Sequence, residues 1–221
     1  MALVSSSHTS LFTILHSLFF FLTMFITFEG VEGAGKSTQV RMLAERLRGD
    51  RHVLVTREPG DGPLGARLRQ LVLSPPDDVV VDELAELFIM LADRAQHVSG
   101  AIRPALDEGV HVLCDRYVDS SVAYQGYGRG LSVDEIGRMN LLATGGLLPD
   151  RTILLDLDPA AGLARQQDRN RMESEALAFH ERVRAGFLEI AAGCPERFIV
   201  LDASLSPHVL HEQIWTAIST L

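Results

Sequence analysis

A parallel β-sheet with helices on both faces is the fold this sequence predicts, on three observations. Short apolar, β-prone runs alternate with helix-periodic segments along the chain, the pattern of a doubly covered parallel sheet. A glycine-rich stretch, Phe25-Ile-Thr-Phe-Glu-Gly-Val-Glu-Gly-Ala-Gly-Lys-Ser-Thr38, joins the first such run to the first such helix. Charged residues stand just after the runs: Arg57 after the second, Asp115 and Arg116 after the third, and the Asp158-Pro159 turn after the fourth. Ligands of such sheets bind at the carboxyl ends of the strands, so these residues are expected to converge.

The elements follow in order. Phe25 to Phe28 reads as strand one. Val40, Leu43, Ala44 and Leu47 then fall at i, i+3, i+4 and i+7, the buried stripe of a helix. His52 to Thr56 is the second strand, broken by Arg57-Glu-Pro-Gly60. Leu64 to Leu73 is helical, and Val80 to Val98 is a longer helix, apolar at Leu84, Leu87, Leu91 and Ala95, with Phe88 expected in the core. Arg103 to Glu108 is a short helix closing at Gly109, and Val110 to Cys114 the third strand. Gly126 to Gly130 is expected as a loop. Ser132, Glu135 and the Leu131/Ile136 pair specify a helix start with a capping box and a hydrophobic staple. Thr152 to Leu157 and Phe198 to Asp202 are strands four and five. The helix between them carries Phe179, Val183, Phe187 and Ile190 on one side and stops near Gly193-Cys-Pro195. Ser206-Pro207 opens the last helix.

The 221 residues suit one domain with a sizeable core, and 47% hydrophobic with 22% charged residues is ordinary for an α/β protein. A net charge of -9 argues against a nucleic-acid groove. Cys114 and Cys194 have neither disulfide nor metal spacing; Cys114 reads as a buried small hydrophobe in a reducing compartment, hence a cytoplasmic protein. Residues 1–23 contain no Lys, Arg, Asp or Glu. They lack the basic region and cleavage site of a secretory signal, and their apolar run is short for a membrane span. They are read as an upstream extension from a mis-chosen start, with an N-terminal membrane anchor as the rival. Residues 24–221 are expected as a single domain with no membrane attachment.

Gly30, four residues, then Gly35, Lys36 and Ser37 fit the pattern of a phosphate-binding loop. Glycines let the backbone turn several N–H groups inward, Lys36 supplies a point charge for the β/γ-phosphates, and the Ser37 hydroxyl suits Mg²⁺. Gly30, Val31, Glu32, Gly33, Ala34, Gly35, Lys36, Ser37 and Thr38 are thus the expected ATP-binding set. No N-K-x-D element of a GTPase occurs. Arginines follow strands two and three instead, and three more (Arg165, Arg169, Arg171) follow strand four. Phosphoryl transfer relies on positioning and charge neutralisation, and an acceptor that is itself a phosphate needs its own cationic clamp. Arg57 and Arg116 are placed for that acceptor, the three later arginines for a lid at about residues 159–174, and Asp115 for Mg²⁺ through water. The fold expected is then a three-layer P-loop kinase with a five-stranded parallel sheet and a short lid.

The motifs Phe28 to Thr38, Thr56-Arg-Glu-Pro-Gly60, Ala92-Asp-Arg-Ala-Gln-His97, Asp115-Arg-Tyr-Val-Asp-Ser-Ser-Val-Ala-Tyr-Gln-Gly126 and Leu155-Asp-Leu-Asp-Pro159 resemble those of the bacterial thymidylate kinases, in order and spacing. The resemblance implies ATP and dTMP as substrates, dTDP as product, Mg²⁺, and a homodimer packed through the Val80 to Val98 helix. It implies that Glu32 accepts a hydrogen bond from the acceptor's 3′-hydroxyl and that Arg57 and Arg116 grip its phosphate. Arg94 would read thymine O4, Ser121 would lie near the base edge, and Tyr124 would crowd a ribose 2′-hydroxyl beside Gln125. Two departures stand out: Met90 occupies the position of the family's base-stacking phenylalanine, and the lid is short. The lid also lacks the family's glycine-rich stretch, which leaves Arg165 and Arg169 open for the catalytic lid role, while Arg171-Met-Glu173 matches the family's lid-end arginine and glutamate; all three lid arginines are counted with Lys36 and Arg116 as catalytic. Gly33 stands where some eukaryotic members carry a catalytic arginine, so the lid must supply that charge.

Rival readings are a kinase of another monophosphate, a deoxynucleoside kinase with Glu58 as general base, and a non-catalytic nucleotide-binding regulator or ATPase switch. His208 and His211 share a helix face and are expected to be solvated; Tyr117 and Phe179 are expected in the core.

Overall fold

The computed structural model describes residues 23–49, 51–76, 78–166 and 170–219. Residues 1–22 of the expected extension and Arg169 of the expected lid lie outside the described residues. Within them, β1 (Phe25–Glu29), β2 (Val53–Arg57), β3 (His111–Asp115), β4 (Arg151–Asp156) and β5 (Phe198–Asp202) form one parallel sheet in the order β2-β3-β1-β4-β5. The central β1 pairs Phe28 with Asp115 on one side and with Ile153 on the other, and Arg57 lies beside Asp115. The sheet grows from β1 in opposite directions, which opens a crevice at the carboxyl ends of β1 and β3.

Apolar and β-branched residues build β1: Phe25, Ile26 and Phe28 are buried, and the buried Thr27 satisfies its hydroxyl against Thr152 at 2.9 Å. Coverage on both faces holds for the central strands. The edge strands leave Val55 and Val200 exposed.

Helix α1 (Lys36–Leu47) buries Val40, Leu43, Ala44 and Leu47, the predicted stripe. It packs with the later helices α8 (Leu177–Gly193) and α9 (Pro207–Ser219) into the main core, where Phe28, Leu43, Leu155, Phe187 and Ile214 meet. On the other face, Phe25, Val112, Cys114 and Tyr117 form a second cluster. Helix α2 (Gly62–Leu73) precedes α3 (Glu83–His97), which starts later than the predicted Val80 because Asp82 caps it. Asp82 Oδ1 accepts from the backbone N–H of Leu84 at 2.9 Å and of Ala85 at 3.3 Å, satisfying two orphan donors. Phe88, expected in the core, is 53% exposed. The buried face of α3 carries Glu86, Leu87, Leu91, Asp93, Arg94 and His97 instead.

The chain continues past His97 through a wider π-type turn into α4 (Arg103–Asp107). Helix α5 (Val118–Ser121) likewise runs into π-helical backbone over Val122–Gly128, where a loop at Gly126 to Gly130 was expected. There the Arg129 N–H donates to the Tyr124 carbonyl, an i→i−5 bond that sets Tyr124 and Gln125 into the crevice. Helix α6 (Val133–Thr144) begins at the predicted Ser132 cap. Helix α7 (Pro159–Ala164) opens the lid region. His208 is exposed, but His211 is buried on the inner side of α9, against expectation.

Candidate active site

The loop after β1 is pressed between β4 and α7. Gly30 has φ +135°, and a Cβ there would stand 2.4 Å from the Leu155 carbonyl oxygen. Gly33 has φ +70°, and its Cβ would stand 2.2 Å from the Gly162 oxygen. Neither position admits a side chain in this conformation. Lys36 folds beneath the loop and donates to the Gly30 oxygen at 3.0 Å and the Val31 oxygen at 2.8 Å. Burial first, then the charge of Arg116, lowers its ammonium to about 8. Ser37 Oγ donates to Asp115 Oδ2 at 2.5 Å, placing a hydroxyl and a carboxylate side by side.

A cavity of about 360 Å³ opens over this loop. Glu32, Gly33, Gly35, Lys36, Ser37, Thr38 and Asp115 line one end. Arg57, Met90, Arg94, Arg116, Ser121, Tyr124 and Gln125 line the same cavity. Gly30, Val31 and Ala34 are buried in the loop itself, offering backbone only.

Arg116 connects the two ends. Its φ of +72° is unusual for a residue with a Cβ, and its neighbours hold it there. Cys114 Sγ donates to the Arg116 oxygen at 3.0 Å, and Glu29 accepts from the Tyr117 N–H at 2.7 Å and from Ser120 Oγ at 2.6 Å. Burial, then the charge of Asp119, raises the Glu29 carboxyl to about 7. The Arg116 guanidinium donates to the Gly30 oxygen (3.0 Å), Ser120 Oγ (3.1 Å), Tyr124 Oη (2.9 Å) and Glu32 Oε1 (3.2 Å). Tyr124 Oη also donates to Glu32 Oε1 at 2.5 Å. His180 Nδ1 lies 3.2 Å from Glu32 Oε2, at ion-pair distance but out of line for a hydrogen bond. Burial pushes the Glu32 carboxyl up, yet the His180 ring, Arg116 and Lys36 outweigh it and hold it well below the usual range. Glu32 is therefore an anion at neutral pH.

Arg94 is 2% exposed, not a surface helix residue. Its Nε donates to Glu58 Oε2 at 2.8 Å, Nη1 to Ser121 Oγ (2.9 Å) and Asn140 Oδ1 (2.5 Å), and Nη2 to the Tyr117 oxygen (2.9 Å). His97 Nδ1 stands 2.9 Å from the other Glu58 oxygen. Glu58 is thus engaged on both oxygens, which disfavours its use as a general base for a sugar hydroxyl.

The lid arginines part company. Arg165 Nη1 donates to the Gly33 oxygen at 2.9 Å, directly over the phosphate loop. Arg171 faces away from it: Nε donates to the Val72 oxygen at 2.8 Å, and Nη2 makes a close ion pair with the buried Glu86. Sequence reasoning missed Arg69, which also lines the cavity, donates to the Pro59 oxygen at 2.8 Å, and lies within the field of Arg57 and Arg116. It also missed Glu86 and Asn140, polar residues turned inward on α3 and α6 whose partners lie far off in the chain.

A family model described as Thymidylate kinase matches residues 28–214. The chain is 51% identical over 209 residues to a thymidylate kinase of Solidesulfovibrio magneticus, covering 90% of this chain and 100% of that one. It is 52% identical over 200 residues to a thymidylate kinase of Deinococcus radiodurans, covering 89% and 96%. The crystal structure of thymidylate kinase from Ehrlichia chaffeensis superposes with a TM-score of 0.74 at 35% identity, covering 89% of this chain and 98% of that chain.

Proposed function

The chain belongs to the thymidylate kinase family, and on that premise we propose how its residues divide the transfer of a phosphoryl group from ATP to dTMP. One observation carries the reading: two sets of cations, Lys36 at one end and Arg57, Arg94 and Arg116 at the other, face a single cavity. The loop from Gly30 to Thr38 holds the ATP phosphates against its backbone N–H groups and the α1 N-terminus, with Lys36 turning from the loop carbonyls to the β/γ-phosphates. Arg57 and Arg116, with Arg69, grip the acceptor phosphate. Glu32, anionic and steered by Tyr124, accepts from the 3′-hydroxyl, while Tyr124 fills the space a 2′-hydroxyl needs. Arg94, Ser121 and Gln125 address the base edge, and Met90 covers the ring. Arg165 is the lid cation for the transferring group, Arg169 remains its candidate partner, and Arg171 anchors the lid.

The oxygen pair of Ser37 and Asp115 suits Mg²⁺, a hard cation held by few protein groups plus phosphate and water. When bound it neutralises charge on the phosphates. Residues 24–221 act as one kinase domain with its lid at about 159–174. Among the described residues no helix is long and apolar enough to cross a membrane. The buried thiol of Cys114 suits a reducing compartment, and on that ground we place the enzyme in the cytoplasm. Exposed Leu84 and Phe88, one turn apart on α3, supply an apolar patch that a second copy covers in a homodimer. Sedimentation should show a dimer, converted to monomer by Phe88→Glu.

The test is an ADP-release assay on the full chain with ATP and Mg²⁺, offered dTMP, dUMP, thymidine or no acceptor. Turnover is expected with dTMP foremost. Equal ADP release without an acceptor, or release with thymidine alone, overturns the reading.

A further inference from the structure

Glu86 stands in the first turn of α3 with none of its surface exposed. Its carboxylate joins three segments. Oε1 accepts from Gln125 Nε2 at 2.8 Å, in the cavity wall. Oε2 takes Arg129 Nη2 at 3.3 Å and the close ion pair with Arg171 Nη2 at the lid end. Arg129 Nη1 is balanced in turn by Glu175 at 2.6 Å, so two arginines and two carboxylates close the cluster. The lid end is fixed further by the Arg171 N–H and Nε, which donate to the Leu73 and Val72 oxygens of α2. The next two residues, Met172 and Glu173, form part of the cavity wall.

A carboxylate this deep is tolerable only while its donors stay in place, since losing one leaves buried charge uncompensated. The lid end therefore cannot leave α3 by degrees; it is either seated on Glu86 or released. Gln125 holds Oε1 from the cavity side, beside a longer contact from Arg129 Nε at 3.5 Å, while Arg129 Nη2 and Arg171 hold Oε2. Resting on the assignment of Gln125 to the acceptor pocket, we propose that Glu86 is a positioning residue that couples the acceptor pocket to the lid. An acceptor base that orders Gln125 also orders Glu86, and Glu86 then holds Arg171 and the lid over the phosphate loop. By reciprocity, nucleotide under the lid tightens acceptor binding by the same factor.

The experiment is calorimetric titration of dTMP into the full chain, with and without a non-hydrolysable ATP analogue and Mg²⁺. Wild type, Glu86→Gln, Arg171→Met and the double variant are compared. In the wild type the analogue should tighten dTMP about fivefold or more. In each single variant that factor should fall towards one, and the double variant should lose nothing further. A purely structural role would weaken both ligands and leave the factor intact; that result, or a wild type that binds dTMP with no coupling, overturns the proposal. Failure of the wild type to bind dTMP at all would instead sink the acceptor assignment and the coupling with it. If Glu86→Gln does not fold, Arg171→Met, at a side chain 24% exposed, decides the question alone.

Discussion

The two ends of the cavity are built by different means. The phosphate-loop end is made by consecutive residues, Gly30 to Thr38, whose geometry comes from backbone, with single side chains reaching it from elsewhere: Asp115 at Ser37, Arg116 at Gly30 and Glu32, and Arg165 at Gly33. The acceptor end is made by side chains brought together over long separations: Arg94 meets Ser121, Glu58 and Asn140 across 27, 36 and 46 positions. A contiguous cradle depends on a few irreplaceable groups. A gathered pocket depends on mutual support, so its residues should show losses in stability as well as in turnover.

The strongest break in that comparison is Lys36→Ala. It removes the one ammonium under the phosphate loop while leaving the sheet core untouched, and turnover should fall by about 10³-fold, the scale of a lost cation on a transferring phosphoryl group. ADP release within tenfold of wild type would refute the assignment. Arg116→Ala comes next, with about 10²–10³-fold lost from kcat/KM. Its deficit should be concentrated in kcat/KM for dTMP rather than for ATP, because Arg116 also orients Glu32 and Tyr124. Equal losses against both substrates would show that it serves the loop rather than the acceptor.

Arg94→Met tests the gathered pocket on its other axis. Removing the guanidinium strands Glu58, only 3% exposed at its side chain, with a buried charge. Urea unfolding should show about 3 kcal/mol lost, together with a weakened preference for dTMP over other monophosphates. Unchanged stability would mean that the Glu58 pair is no buried network. Lys36→Ala, by contrast, should leave the unfolding midpoint nearly where it was or raise it.

The same contrast explains what was legible in the sequence. The phosphate loop and the strand-end charges were plain because each is local: a spacing, a strand before, a helix after. All five strands and the Ser132 and Ser206 helix starts follow from such local signals. Helix α3 defeated that logic. Periodicity placed Leu87 and Leu91 in the core, where they lie, but also Leu84, which is exposed like Phe88, expected in the core on another face; the helix also turns Glu86, Asp93, Arg94 and His97 inward, where Glu58, Gln125 and Asn140 meet it. Burial of that polar face depends on partners just after β2, in the π-helical turn and in α6 that no window of sequence contains. The π-helical turn at Val122–Gly128 was missed for a related reason, since its glycines read as loop until the helix before it is known to continue. The sequence did not say which lid arginine reaches the phosphate loop; Arg165 meets the Gly33 oxygen, while Arg171 turns to the Val72 oxygen and Glu86.

The gentlest probe of the comparison is pH, and it isolates the phosphate-loop end. Burial, then the Arg116 charge, brings the free Lys36 ammonium to about 8, against the opposing pull of Asp115, Glu32 and Glu29. As pH rises through 8 the unliganded enzyme loses that proton, so kcat/KM for ATP should fall by about tenfold for each further unit. Bound polyphosphate restores the proton, so kcat at saturating ATP should hold to higher pH. Stability runs the other way. A lysine lowered from 10.5 to about 8 on folding leaves the unfolded chain with more bound protons across that interval, so its contribution to stability rises with pH. Activity would thus decline over pH 8 to 9.5 without loss of fold, which separates deprotonation from unfolding. Tyr124 and Cys114 are both raised well above their usual values and do not titrate in this window. Rate profiles and urea midpoints taken together decide the matter, and an inflection near 10.5 in kcat/KM would show that Lys36 is neither buried nor crowded by Arg116 in the working enzyme.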